Sequence, residues 1–298
     1  MHTGLGSRVA VQDHPVPEVG DDDILVGIAG QNVSARKVGD HVAGFVTGST
    51  FADSGAYAAE YTSGTPAELA WAVPKDTFTH EQAATLGCAF WTAAQALYHP
   101  KRLGLVEPPA KVSGDREERV YTSVGQFAIQ PLAALAGYKV VATASPNNFE
   151  LVKGLGASAV FDYRDPDVVP KVKAAAHDSV RAALDTISLK DSQGDQCGGH
   201  GADRREGDAI LPVIPDATAR ADVPCLFTPR WAAYTFAATG HHVPAIPEDR
   251  AQIVEFLKKV PGPCLSIKLW EGGLGSVPAE LQHVKEGKVS AEKIVHMI

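Results

Sequence analysis

The chain has 298 residues, 45% of them hydrophobic, enough to bury a sizeable core and to suggest two domains or one large one. Its formal net charge of −8 argues against nucleic acid or an anionic membrane as partner, because both require a basic surface. No apolar run approaches the ~20 residues that span a bilayer, and the opening MHTGLGSRVAVQDHP lacks the apolar core of a secretory signal, so a cytoplasmic protein is expected.

In chain order, residues 8 to 62 read as β-rich. The apolar runs RVAVQ, DILVGIAG, HVAGFV and GAYAAEY are separated by Pro, Gly and Asp. Residues 80 to 98, HEQAATLGCAFWTAAQALY, carry Ala, Leu and Gln with little β-branching and predict one helix. A polar, Pro-bearing surface segment, PKRLGLVEPPAKVSGDREER, follows.

From Val120 the rhythm alternates strand and helix. ERVY is the first strand, and Val124, Ala128, Leu132 and Leu135 follow at helical spacing, with Gly137 suited to the helix end. Pro131 falls inside that helix, where it must kink or end it. KVVATA has the continuous apolar character of a buried parallel strand. In SPNNFELVKGLGA, Ser145 is the expected N-cap and Pro146 the first helical residue. AVFDY, VRAALDTI, AILPVI and CLSIKLW are further strands; DPDVVPKVKAAA and PEDRAQIVEFLKKV are helices. Residues 189 to 207 are Gly- and Asp-rich and read as a long surface loop. This alternation demands right-handed crossovers and a doubly wound parallel sheet, so the fold class is α/β.

No metal is expected. The cysteines Cys88, Cys197, Cys225 and Cys264 form no Cys-x-x-Cys pair. Cys197-Gly-Gly-His200 and His241-His242 each fall short of the three or four ligands that zinc requires.

The turn Tyr121-Thr122-Ser123-Val124-Gly125 has one glycine where a Gly-x-Gly-x-x-Gly loop has three. Backbone N–H groups at the start of the following helix, with the Thr122 and Ser123 hydroxyls, can still hold a phosphate there. Enzymes selecting NAD place an acid about 20 residues past the glycine turn. Here that place holds Ala144-Ser145, and Ser145, Asn147 and Asn148 can donate to a 2′-phosphate, with Lys153 and Arg164 as nearby cations. NADP(H) is therefore favoured over NAD(H).

Taken together, KVGDHVAGFV, GAYAAEY, EQAATLGCAFWTAAQALYH, TSVGQFAIQ, LAGYKVVATASPNNFELVKGLGASAVFDYRDPDVV, ALDTIS and GGLGSVPAELQHVKEGKVSAEKIV follow one another as they do in a known family. The chain resembles the zinc-free medium-chain dehydrogenase/reductases, and within them the fungal trans-acting enoyl reductases of polyketide biosynthesis. That resemblance implies a GroES-like β-barrel lobe over 1–88 and 265–298, truncated here, and a Rossmann NADP-binding domain over 89–264. It implies that Thr122, Ser123 and Val124 line the phosphate turn, and that Ser145, Pro146, Asn147, Asn148 and Tyr163 surround the adenosine 2′-phosphate. Val289 and Ser290 would close over the cofactor. Gly87, Cys88, Ala89, Phe90, Trp91, Thr92, Ala93 and Ala94, with Tyr234, Thr235, Phe236, Ala237 and Ala238, would face the substrate. The implied reaction is NADPH-dependent reduction of an α,β-unsaturated acyl thioester carried by a polyketide synthase, by a monomer or homodimer.

The chain also departs from that family. Members follow the strand matching DILVGIAG with an Asn-Pro-x-Asp-type segment and a lysine near the substrate. Here GIAGQNVSARKVGDHV passes almost directly to the next strand, and the Gly-rich run before TSVGQ is short. A deletion inside a closed barrel exposes strand edges. No catalytic residue is assigned. Quinone or enone reduction on the same scaffold, and a catalytically inactive scaffold, stand as alternatives.

Overall fold

The structure, a computed structural model, describes residues 23–25, 28–29, 37, 39–44, 65–66, 70–73, 77–112, 119–123, 125–130, 136–177, 180–186, 209–212, 236–238, 241–243, 247–257 and 267–296. The chain divides into two compact units, 1–88 with 232–298, and 89–231. Residues 232–264, grouped with the nucleotide domain in the sequence reading, go with the first unit in this division.

Short antiparallel pairs carry the N-terminal part of the first unit. β1 (Asp23–Leu25) pairs with β2 (Ile28–Ala29) and with a strand at Thr65–Pro66, while β3 (Val42–Ala43) pairs with a strand at Trp71–Ala72. In chain order the latter two are β4 and β5. RVAVQ and GAYAAEY lie outside the described residues.

The helix predicted over 80–98 is two helices, α1 (His80–Ala84) and α2 (Cys88–Tyr98). Thr79 and Gln82 form a reciprocal capping box at the start: the Gln82 N–H reaches Thr79 Oγ1 at 3.2 Å, and the Thr79 N–H reaches Gln82 Oε1 at 2.9 Å. Thr85 ends α1, with both its N–H and its hydroxyl turned onto the Gln82 carbonyl. Gly87 then passes so near the Gly44 carbonyl that a Cβ would meet that oxygen at 3.1 Å. The composition reads as continuous helix, but the Thr85 cap and this close approach interrupt it.

In the second unit, β6 (Arg119–Ser123), β7 (Lys139–Ala144), β8 (Ala159–Asp162), β9 (Val180–Asp185) and β10 (Ala209–Pro212) form a five-stranded parallel sheet in the order β10-β9-β6-β7-β8. After Lys139, β7 is buried throughout, as a strand covered on both faces must be. Helix α3 (Gln126–Ile129) follows β6, α4 (Phe149–Gly154) follows β7, and α5 (Val168–Ala175) follows β8. Val168 and Val172 of α5 pack in one cluster with Val141, Val180 and Ala183 of the sheet. The first Rossmann-type helix is described only over Gln126–Ile129, and Val124 and residues 131–135, Pro131 included, lie outside the described residues. Gly137 has φ +80, in the left-handed region that favours glycine.

Toward the C-terminus, β11 (Phe236–Ala238) and β12 (His241–Val243) form an antiparallel hairpin. A helix spans Pro247–Leu257. Strand β13 (Ile267–Trp270) pairs in parallel with β14 (Lys293–His296), and a helix at Val277–Lys285 lies between them in sequence. Within this group Glu280, 6% exposed, brings Oε2 to 3.8 Å from His296 Nε2. The loop at 189–207 lies outside the described residues.

Candidate functional site

The strand order of the sheet makes one place on it special. From β6 the chain steps outward through β7 and β8 on one side, then returns to place β9 and β10 on the other. Open α/β sheets bind their ligands outside the carboxyl ends of the strands where the order reverses, and in this sheet the order reverses between β6 and β9. Ser123, the last residue of β6, lies opposite Thr143 on one flank and Asp185 on the other. On the next strand Ala144 lies opposite Asp162. With strands about 4.8 Å apart, the segments after β6, β7 and β8 line up along one edge.

Thr122 and Ser123 close β6, and Val124 lies outside the described residues. Gly125 opens α3 with φ −78 and ψ 82, and its carbonyl accepts the Ile129 N–H at 2.9 Å.

Beyond β7 comes a 3-10 turn at Pro146–Asn148. Ser145 does not cap it with its side chain, contrary to the sequence expectation. Pro146 has no N–H, and the Asn148 N–H already bonds the Ser145 carbonyl at 2.9 Å, so the hydroxyl is left for other work. Ser145 Oγ instead accepts from Asn148 Nδ2 at 3.1 Å. Ser145 and Asn148 are half-buried, and Pro146 and Asn147 are exposed.

Past β8, Tyr163 is 47% exposed. The Arg164 backbone N–H and Nε both donate to Asp162 Oδ1, at 3.0 and 3.3 Å, and the guanidinium lies 5.0 Å from the centroid of the Tyr163 ring. Sequence reasoning marked Arg164 as a nearby charge and missed Asp162; the Asp-Tyr-Arg spacing at a strand end was the available signal. Lys153 pairs with Glu150 at 3.0 Å, and Lys171 pairs with Asp165. The Lys171 ammonium, followed by the Asp167 N–H, holds the Asp165 carboxyl below its ordinary range, and Asp165 raises Lys171 in return.

The run expected to face substrate is mixed. Phe90 and Trp91 are each 4% exposed, with rings 5.4 Å apart, and Phe90 also meets Phe127 edge-on at 5.4 Å. Ala93 and Ala94 are buried, Thr92 is half-buried and Ala89 is exposed. Gly87 belongs to the first unit, and Cys88 opens α2. Phe236, Ala237 and Ala238 form β11 in the first unit, and Tyr234 and Thr235 lie outside the described residues. Val289 is half-buried and Ser290 exposed, also in the first unit. Next to them Ala291 sits at φ +57, a left-handed backbone that costs a non-glycine residue roughly 1–2 kcal/mol.

Among the described residues no group of three or more His, Cys, Asp or Glu could hold a metal, and no helix is long and apolar enough to cross a membrane.

No family model matches the chain. It is 34% identical over 274 residues to the trans-enoyl reductase ACTTS2 of Alternaria alternata, an alignment covering 87% of this chain and 77% of that protein. It is 31% identical over 300 residues to the trans-enoyl reductase caaB of Aspergillus niger, covering 92% and 80%. Among solved structures, the CurK enoyl reductase superposes with a TM-score of 0.65 at 20% identity, over 90% of this chain and 76% of that one.

Proposed function

Because the chain belongs to the trans-enoyl reductase branch of the medium-chain dehydrogenase/reductase family, whose fold joins a GroES-like lobe to a Rossmann domain, we propose that it is an NADPH-dependent enoyl reductase. Its substrate class is an α,β-unsaturated polyketide acyl thioester presented by a synthase. The observation that carries the coenzyme reading is that β6 ends at Ser123 where the strand order reverses and Gly125 opens the following helix, with the uncharged Ser145 and Asn148 past the adjacent strand end.

The residues present fit such a group. Gly125 adds no side chain to the turn, and Ser145 offers a hydroxyl where a carboxylate would repel a 2′-phosphate. Tyr163 offers a half-exposed ring one strand further along. When bound, the coenzyme supplies a hydride to the β-carbon of the enoyl thioester, and a proton taken up at the α-carbon completes the reduction. Backbone N–H groups after β6 would hold its diphosphate, and the segments after β7 and β8 would hold its adenosine end. Fixing that end orients the reactive ring against the alkene, and orientation alone can supply several kcal/mol of the barrier reduction. The thioester oxygen gains charge as the hydride arrives and needs donors set around it. Val289 and Ser290, and the exposed Ala89, belong to the same proposal as coenzyme- and substrate-facing positions.

The test is loss of NADPH absorbance with crotonyl and longer enoyl thioesters, run beside simple quinones, together with calorimetric titration of NADPH. Turnover of thioesters supports the reading. Turnover of quinones alone rejects the thioester assignment, tight NADPH binding without any turnover points to an inactive scaffold, and absence of NADPH binding rejects the enzyme reading.

A further inference from the structure

We infer that Lys268 is the positioning residue that holds the segment carrying Val289 and Ser290 in place. Its bearing on the coenzyme rests on the reading above. Val289 and Ser290 lie between the helix Val277–Lys285 and strand β14, which begins at Lys293. The chain leaves that helix by a tight turn. The Gly287 N–H bonds the Val284 carbonyl at 2.9 Å, with Gly287 at φ +69, and the Lys288 N–H bonds the His283 carbonyl at 3.3 Å. It then passes through Ala291 at φ +57 before entering β14. A non-glycine residue keeps a left-handed backbone only where its surroundings impose it.

Lys268 supplies such a hold, because it reaches both ends of the segment at once. Its ammonium lies 3.3 Å from His283 Nε2, on the last turn of the helix, and 3.6 Å from Glu292 Oε1, one residue past Ala291. An ammonium has three donors, so it serves both partners and keeps one for water. The Trp270 ring lies 5.0 Å from the His283 ring and 5.9 Å from the ammonium, on the same side of β13 as Lys268. The root of the lysine is fixed by parallel pairing of β13 with β14 over four positions. Lys268 and Glu292 are both half-buried, so salt screens their attraction less than that of a fully exposed pair. Without the ammonium the backbone turn at Gly287 remains, but the brace between helix end and strand start is lost. Ala291 is then free to relax, carrying Ser290 and Val289 with it. Lys268 acts on the coenzyme only through where it places those two residues.

The test is amide hydrogen exchange on the full chain without ligand, followed by calorimetric titration with NADPH and with 2′,5′-ADP, which lacks the nicotinamide half. Lys268→Met keeps the stem and removes the charge. It should speed exchange at residues 288–291 while leaving β6, β7 and β9 as in wild type. It should also weaken NADPH about ten-fold, the scale of a lost bond to a charged group, and leave 2′,5′-ADP unchanged. Lys268→Arg should recover most of the NADPH affinity. Glu292→Gln should weaken NADPH in the same way and add little to Lys268→Met, since both break one contact; it repeats the measurement if the methionine variant folds poorly. Unchanged exchange at 288–291, or equal losses of NADPH and 2′,5′-ADP, overturns the inference and leaves the coenzyme reading standing. A wild-type chain that binds neither ligand rejects the coenzyme reading, while the exchange data still decide whether Lys268 holds the segment.

Discussion

Asn148 donates through Nδ2 to the hydroxyl of Ser145 at 3.1 Å, so the serine oxygen serves as an acceptor inside the protein. Its own proton has no acceptor among the described residues and remains to be given to a ligand. Ser145→Ala is therefore expected to weaken NADPH by about ten-fold, the scale of a hydrogen bond to a charged group. Ser145→Asp should weaken it further and shift preference toward NADH, measured as the ratio of the two dissociation constants. An unchanged ratio in Ser145→Asp would place the 2′-phosphate elsewhere.

Gly125 allows folding and binding to be separated. Its φ of −78 is open to any residue, and its place at the start of α3 even suits an aspartate cap. Gly125→Asp should leave the thermal midpoint within a few degrees of wild type while abolishing measurable NADPH binding, because the new carboxylate would stand at the proposed diphosphate site. Retained binding with retained stability would count against the turn.

Phe90 is packed between Trp91 and Phe127, whatever the motif around it suggests. Phe90→Ala should cost about 3–5 kcal/mol in urea unfolding, the range for a buried aromatic truncated to alanine. A variant of full stability with a raised KM for the thioester would instead make Phe90 a substrate contact.

The Asp165–Lys171 pair predicts a pH dependence of defined sign. Asp165 titrates below its ordinary value of 3.8 in the folded chain, so its contribution is complete above that value and disappears as pH falls through the lowered folded value. Lys171 titrates above 10.5, so its contribution is complete below that value and is lost as pH rises past it. Asp165→Asn should therefore be less stable than wild type at neutral pH and should converge with it in strong acid. A difference between the two that is constant from pH 7 to pH 2 contradicts the pairing.

Glu280 and His296 make a buried pair whose facing atoms are 3.8 Å apart, and neither Glu280 Oε2 nor the His296 ring nitrogens have a hydrogen-bond partner among the described residues. His296→Leu alone leaves an acid buried without its neighbour and should cost about 3 kcal/mol. Glu280→Leu combined with His296→Leu should recover most of that loss, since two apolar side chains need no partners. Additive losses in the double variant would show that Glu280 and His296 are not coupled, against this reading.

Local residue chemistry was enough to identify the alternating strands and helices of the second unit. KVVATA has to be a doubly covered strand because a continuous apolar run has no polar face to give to water. Ser-Pro-Asn-Asn marks a turn into a helix because proline lacks the N–H that a first turn does not need. Those patterns depend on neighbours a few residues apart. What makes the carboxyl edge a candidate site does not. Ser123 meets Thr143 and Asp185 through parallel pairing between distant segments, and no local preference specifies which strand lies beside which. The same holds for the break between α1 and α2, where the distant Gly44 carbonyl crowds Gly87. Composition thus determined which elements form, while burial and backbone pairing across the fold decided which strand ends lie side by side and which side chains fill the core.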